Sequence, residues 1–427
     1  MKNTTFRFIQ FICIVVSVIG LITKCLDIVG GCIIFNSLAT CFCVRKHNRM
    51  IILFLLMAYI NCSVGWYDCI LGGEYASMWQ QNGMRATESN IITAKSILIT
   101  CTILLLFVTP FISKNTSRFF NNLEKYRSKN SFIILTFIAI LSGILLFALF
   151  SEVLPRQMEG YSSVTNPLFE YSSIFVLFLW YFSKDVPIVD KFIKLYTIIF
   201  CILFALIGDR SSCFIMLLLV FILYFSKNIS FLKLAVVAFA GIYLANFISQ
   251  IRADKSFIEA ISIAIERGFY TDTVSWSYYA SITISALHKF VDEPWRFIFG
   301  NLFYYLTGIS TTYSGMSGFA RDYSSNLYNI GGGIYSSYFY GMSGYIGVVC
   351  GALILGIIIR KAFKSSSFEG IIYQCLLVTL SLRWYLYSIS TLFRGILVLT
   401  TILLLLCRLL NSKTKRKVLN EYKIINR

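Results

Sequence analysis

Histidine and acidic side chains are scarce in this 427-residue chain, with two His and 20 Asp and Glu against 38 Lys and Arg. His47 and His288 stand far apart and no Cys/His cluster exists, so neither zinc nor haem is expected, and no other cofactor is indicated. Charge of either sign is thin at 14% of residues, while 57% are hydrophobic and the mean hydropathy is +0.73. That balance excludes a soluble domain and points to an all-α polytopic membrane protein. No small-residue cleavage site follows Phe6 to Ile22, which therefore reads as a first spanning helix and not a secretory signal. Internal repeats and low-complexity tracts are absent as well. Most of the 13 cysteines, among them Cys13, Cys101, Cys201 and Cys407, lie inside apolar runs and behave as small buried hydrophobes. Cys25 and Cys69, both expected near the outer face, are the pair to check for a disulfide.

A bilayer core of roughly 30 Å takes about 20 apolar residues as helix. Twelve stretches qualify, near 6–23, 28–44, 50–70, 91–113, 131–150, 167–183, 194–208, 212–226, 234–250, 343–359, 371–390 and 395–410. With a cytoplasmic N-terminus, the segments on that side hold 25 of the 38 Lys and Arg and five of the 20 Asp and Glu. The inside excess is 20 positive charges, and everything else sums to −2. By the positive-inside rule both termini are cytoplasmic and the long interval Ile251 to Met342 is external. Scattered across many membrane-flanking loops, the basic residues form no compact patch, so nucleic acid is excluded as a partner despite the net charge of +18. Three regions follow: a membrane bundle over 1–250, a large external loop over 251–342, and membrane helices with a basic tail over 343–427.

Within the loop, Ser256-Phe257-Ile258-Glu259 fits a capping-box start and Gly268 a stop. Glu259, Ser262 and Glu266 recur at helical spacing, which predicts an amphipathic helix on the membrane surface with Arg267 at its C-terminal end. The stretch 297–310 is apolar enough to enter the interface. Beyond the loop, the Gly347-to-Gly351 spacing lets a neighbouring helix approach closely.

Three features on the outer side could carry chemistry. The turn Gly208-Asp209-Arg210-Ser211-Ser212 joins two apolar spans with almost no loop, putting Arg210 at headgroup level beside a helix N-terminus that can cradle phosphate; a snorkelling Arg is the alternative. Arg252, Arg267 and Arg321 lie in the external loop, and guanidinium is well matched to pyrophosphate because its fork donates paired hydrogen bonds while staying charged. Arg383 lies inside the eleventh span. A charge there costs about 2.5–3.5 kcal/mol on insertion scales, so it faces a polar cavity or a partner such as Glu170. For the acid/base role the outward carboxylates and imidazole are Asp209, Glu266, Asp272, His288, Glu293 and Asp322, and spacing alone does not choose among them. Aromatic residues including Trp295, Tyr304, Tyr305, Tyr323 and Tyr328 could stack on sugar faces or form an interfacial belt.

Twelve spans, one large external loop in the C-terminal third, the Gly-Asp-Arg-Ser-Ser turn and a glycine-rich re-entry from Asn326-Leu327-Tyr328 through Tyr345-Ile346-Gly347 together resemble the O-antigen polymerase and ligase superfamily, and the Wzy-type polymerases in particular. Arg321 with Gly332 is similar to an arginine, ten-residue, glycine pattern of some members. The ligase branch has a His-Asn pair ahead of the re-entry where this chain has Ser325-Asn326, which favours the polymerase branch. The resemblance implies metal-independent, inverting glycosyl transfer between two undecaprenyl-pyrophosphate-linked saccharides on the periplasmic side of a bacterial inner membrane. Arg210, Arg252, Arg267, Arg321 and Arg383 would then face pyrophosphate, and Asp209 and Asp322 would handle the proton. Partners would be the lipid-linked oligosaccharides, membrane lipid and a chain-length-regulating membrane protein. The alternative is a transporter that flips the same lipid-linked unit, although such carriers tend to show matched halves and this chain does not.

Overall fold

The computed structural model describes residues 3–23, 28, 32, 92–93, 95–104, 123–153, 166–207, 209–225, 236, 240–241, 243–248, 250, 256–267, 272–286, 288, 293–309 and 332–410. These residues are helical, with no strand among them apart from one isolated bridge between Lys129 and Ser183. In chain order the helices are α1 (Asn3–Ile22), α2 (Lys95–Leu104), α3 (Ser131–Ala148), α4 (Pro167–Tyr181), α5 (Pro187–Ile207) and α6 (Arg210–Tyr224). They continue with α7 (Phe257–Arg267), α8 (Asp272–Ala286), α9 (Pro294–Thr307), α10 (Tyr335–Lys364), α11 (Phe368–Thr379), α12 (Ser381–Trp384) and α13 (Thr391–Leu410).

Three segments, Ser131–Ser151, Tyr335–Lys364 and Thr391–Leu410, are long and apolar enough to cross a membrane among the described residues. α4 is the hub. Every side chain from Phe169 to Tyr181 is buried, with α3, α5 and α6 packed around it. On α5, Phe192, Tyr196, Phe200 and Phe204 repeat every fourth residue and form a ladder of rings. Phe200 and Phe204 have centroids 4.0 Å apart, and Phe204 meets Phe169 of α4 edge-on at 4.6 Å. Outward faces are apolar too: Phe132, Leu135 and Leu146 on α3, Leu195, Ile198 and Ile202 on α5, and Ile402, Leu405 and Leu409 on α13 are all exposed. A helix hydrophobic all round belongs in lipid, which supports the membrane assignment independently of composition.

Side-chain caps set where the helices start. Asn130 accepts from Ile133 N at 3.2 Å, Asn166 from Leu168 N at 2.9 Å ahead of Pro167, Asp209 from Ser212 N at 3.2 Å and Ser367 from Gly370 N at 3.2 Å. Each satisfies an N–H that the helix itself cannot. Asn130 and Ser367 lie at one end of the bundle and Asn166 and Asp209 at the other. At the first end Ser128 N donates to Tyr181 O at 2.8 Å, Tyr126 Oη to Ser366 O at 2.7 Å, and Arg127 reaches Asp190 at 3.5 Å. Lys125, Lys129, Lys184, Lys191, Lys194 and Lys364 gather there, the separation of basic residues to one end that the charge pattern anticipates.

Several expected boundaries shift. The span expected at 194–208 begins at Pro187, because Asp190 is paired with Arg127 and accepts from Tyr224 Oη at 2.8 Å, which lets charged residues occupy the first turns. The span expected at 371–390 is not one helix: α11 ends at Thr379, α12 is one turn, and the chain turns again before α13 starts at Thr391, where winding is π-helical to Leu399. The external loop and the last membrane region also differ from expectation. α10 starts at Tyr335, and the backbone breaks at Ser343 and at Gly344, whose φ of +64° suits a residue without Cβ. Tyr335 to Met342, expected as the end of the loop, is a buried helical segment folded back on the rest of α10: Tyr335 Oη donates to Gly351 O at 2.9 Å, and Phe339 packs on Gly347 and Gly351. The close helical neighbour anticipated from those two glycines is the chain's own preceding segment. The span expected at 50–70 and the tail beyond 410 lie outside the described residues, as does the Cys25–Cys69 pair, and the spans expected at 28–44, 91–113 and 234–250 are described only in part.

α7 follows its sequence signature. Ser256 N and Oγ donate to Glu259 Oε2 at 3.1 and 3.0 Å, and Arg267 closes the helix. Ala260 and Ala264 face inward, Ile258, Ile261 and Ile265 are exposed, and Glu259 and Glu266 line a third stripe. α9 is similar: Phe297, Asn301 and Tyr305 are buried, while Trp295, Phe299 and Phe303 point out.

Candidate functional site

At the end of the bundle opposite the lysines, four elements bring polar side chains together. Glu170, in the first turn of α4, is 5% exposed and Arg383, from α12, is 7% exposed. Arg383 Nε donates to Glu170 Oε1, while Thr391 Oγ1, at the start of α13, donates to Glu170 Oε2 at 3.0 Å. The guanidinium carbon stands 4.2 Å from the centre of the Tyr387 ring. One edge and one face of Arg383 are thus held, as a charge in an apolar interior requires. Nη1 and Nη2 make no hydrogen bond among the described residues, and neither is a sealed, orphaned atom.

Asp209 lies near enough for its charge to act on both Glu170 and Arg383. Its carboxylate accepts Ser211 Oγ at 2.8 Å, Ser212 N at 3.2 Å and Ser212 Oγ at 2.6 Å. These contacts make Asp209 the cap of α6 and fix the turn that starts the helix at Arg210. On the other flank Tyr171 has Arg394, Glu170 and Arg383 as charged neighbours, and its ring rests on Gly395. Arg394 Nη2 donates to Tyr304 O at 2.9 Å at the C-terminus of α9, where its positive charge meets the negative helix end, and Gly308, at φ +81°, leaves room for the guanidinium.

Gly332 and Gly333 join this end of the bundle. Gly332 packs against Tyr387 O so closely that any Cβ would occupy the oxygen's place, and Gly333 N donates to Tyr338 Oη at 3.0 Å. Tyr338 Oη in turn donates to Tyr387 O at 2.9 Å, Tyr335 N donates to Tyr385 O at 2.7 Å, and Ile334 N to Ser281 Oγ of α8 at 2.7 Å. The broken backbone after α12 and the extended backbone before α10 therefore satisfy one another, which irregular segments at membrane depth must do.

Of the residues singled out from sequence, Asp209 and Arg383 come together, and the backbone of Arg210 opens α6 beside them. Arg267 ends α7. Arg252, Arg321 and Asp322 lie outside the described residues, as do Tyr323 and Tyr328. Among the other acid/base candidates, Glu293 is engaged by exposed Arg296 at 3.0 Å, and His288 sits by the Gly344 break with its ring 5.6 Å from that of Tyr340. Sequence reasoning offered Glu170 only as a counter-ion for Arg383; an acid inside an apolar span was its signal. Thr391, Tyr387 and Tyr171 carried none, because their proximity depends on the break between α11 and α13. No three His, Cys, Asp or Glu side chains among the described residues converge as metal ligands. The chain matches no protein-family model, and no curated protein or solved structure matches it.

Proposed function

We propose that the protein is a bacterial inner-membrane polymerase that joins undecaprenyl-pyrophosphate-linked oligosaccharide repeat units into a surface polysaccharide on the periplasmic side. The observation that carries this reading is the buried Glu170–Arg383–Thr391 cluster beside the Asp209–Arg210 turn, at the end of the bundle opposite the lysines. A guanidinium fixed in a poorly solvated setting is what a departing lipid pyrophosphate needs: charge placed in advance, at the depth where the headgroup sits. In the reaction the acceptor hydroxyl oxygen attacks the donor anomeric carbon from the face opposite the pyrophosphate, the bond to the phosphate oxygen breaks, and a carboxylate takes the hydroxyl proton. Arg210, Arg252, Arg267, Arg321 and Arg383 are the pyrophosphate-facing set, with Asp209 and Asp322 the carboxylates for the proton. The apolar outer faces leave two lipid tails free to arrive laterally.

Deleting the gene in its host tests this directly. Surface polysaccharide should be reduced to a single repeat unit with the long-chain ladder gone. Loss of the single-unit form as well would assign the protein to translocation of the unit and sink the polymerase reading. Arg210→Ala and Arg383→Lys, which keeps the charge, should each abolish the ladder at normal protein abundance.

A further inference from the structure

Arg383 is held unusually completely for a residue with an open end. Nε is committed to Glu170, one face lies on Tyr387, and Glu170 is itself held by Thr391, yet Nη1 and Nη2 bond to nothing among the described residues. A structural ion pair in an apolar interior commonly satisfies both ends of the guanidinium, and fork-to-fork pairing with a carboxylate uses two nitrogens. Here the second carboxylate oxygen is spent on Thr391, so the fork stays available. Tyr171, the next residue on α4, feels the charges of both Arg383 and Arg394; its hydroxyl has no hydrogen-bond partner among the described residues and is likewise not sealed off.

We propose that Glu170 is a positioning residue: with Thr391 it fixes Arg383 so that the two Nη atoms, flanked by the Tyr171 hydroxyl, grip an oxygen pair of the donor pyrophosphate. This rests on the polymerase reading for the identity of the ligand and on the cluster geometry for everything else. Thr391 and Glu170 lie 221 residues apart in sequence and meet only because α13 starts beside α4. Tyr171 supplies an O–H donor that an oxyanion can use without a metal.

The sign of the effect separates positioning from plain electrostatics. Deleting an anion beside an anion site should tighten binding if charge alone matters. If Glu170 positions Arg383, its deletion should loosen binding in spite of the charge removed. Purified full-length protein in phosphatidylcholine nanodiscs is titrated calorimetrically with inorganic pyrophosphate. Arg383→Lys, which keeps the charge but loses the fork, should raise Kd about tenfold or more. Glu170→Ala should also raise it about tenfold, while Glu170→Gln, whose amide oxygen can still accept from Nε, should stay within about threefold of wild type. Thr391→Val should raise Kd about threefold.

Tighter binding in both Glu170 variants, or no binding by the wild type, overturns the proposal. If Glu170→Ala does not fold, an unchanged Kd in Thr391→Val overturns it instead. Repeating the titration in phosphatidylglycerol-rich discs separates pyrophosphate from an ordinary anionic headgroup: complete displacement by that lipid removes the pyrophosphate assignment. The two readings fail separately. Glu170-dependent pyrophosphate binding with an intact ladder after gene deletion defeats the polymerase and spares the site. Ladder loss with binding indifferent to Glu170 does the reverse.

Discussion

Arg383 and Glu170 illustrate what a single charge demands in an apolar interior. Removing one member of a buried pair leaves the other uncompensated and costs about 3–5 kcal/mol, whereas replacing both by apolar residues of similar size is often neutral. Arg383→Ala and Glu170→Ala should therefore each lower the thermal midpoint of the detergent-solubilised protein sharply, and the double change Glu170→Leu with Arg383→Met should recover most of the loss while activity stays absent. A double variant as unstable as either single one would show that the pair does not carry the local stability. Asp209 acts through hydrogen bonds to its own helix. Asp209→Asn keeps the cap and Asp209→Ala loses about 1 kcal/mol, so a comparison of their melting temperatures isolates the cap. If Asp209 also handles the proton, both variants lose turnover, and the Asn form does so without the stability loss.

At the scale of elements, the back-folded segment Tyr335–Met342 depends on two glycines for different reasons. A Cβ on Gly351 would strike the Phe339 ring, while one on Gly347 would strike the Phe339 carbonyl oxygen. Gly351→Ala should consequently be relieved by Phe339→Ala, and Gly347→Ala should not, because shortening a side chain moves no backbone. Proteolytic stability of the four variants in detergent checks this, and equal rescue at both positions would contradict the arrangement. Reading these elements from sequence worked where the signal is local. Ser256 with Glu259 set the start of α7, and the apolar runs beginning at Ser131 and Pro167 were legible as helices. It missed the break between α11 and α13 and the buried helical segment Tyr335–Met342, since hydropathy averages over both. What stabilises them is pairing of Tyr385 O and Tyr387 O with Tyr335 N and Tyr338 Oη, some 50 residues away.

For the whole molecule, the lysine-rich end and the Glu170–Arg383 end should lie on opposite sides of the membrane. Lys184→Cys and Ser151→Cys, introduced where native cysteines are replaced by serine, should react with an impermeant maleimide from opposite faces of sealed vesicles. Labelling of both from the same face would overturn the orientation and, with it, a periplasmic site. Composition and hydropathy by themselves determined that this is a helical membrane protein and that Arg383 needs a partner; these follow from transfer free energies summed over local stretches. Only the tertiary structure decided that the partner is Glu170, that Thr391 and Tyr387 complete the cluster, and that Gly332 seats against the broken helix. Such contacts join residues far apart in the chain, and their energy depends on which side chains meet once helices pack, a quantity that no local pattern contains.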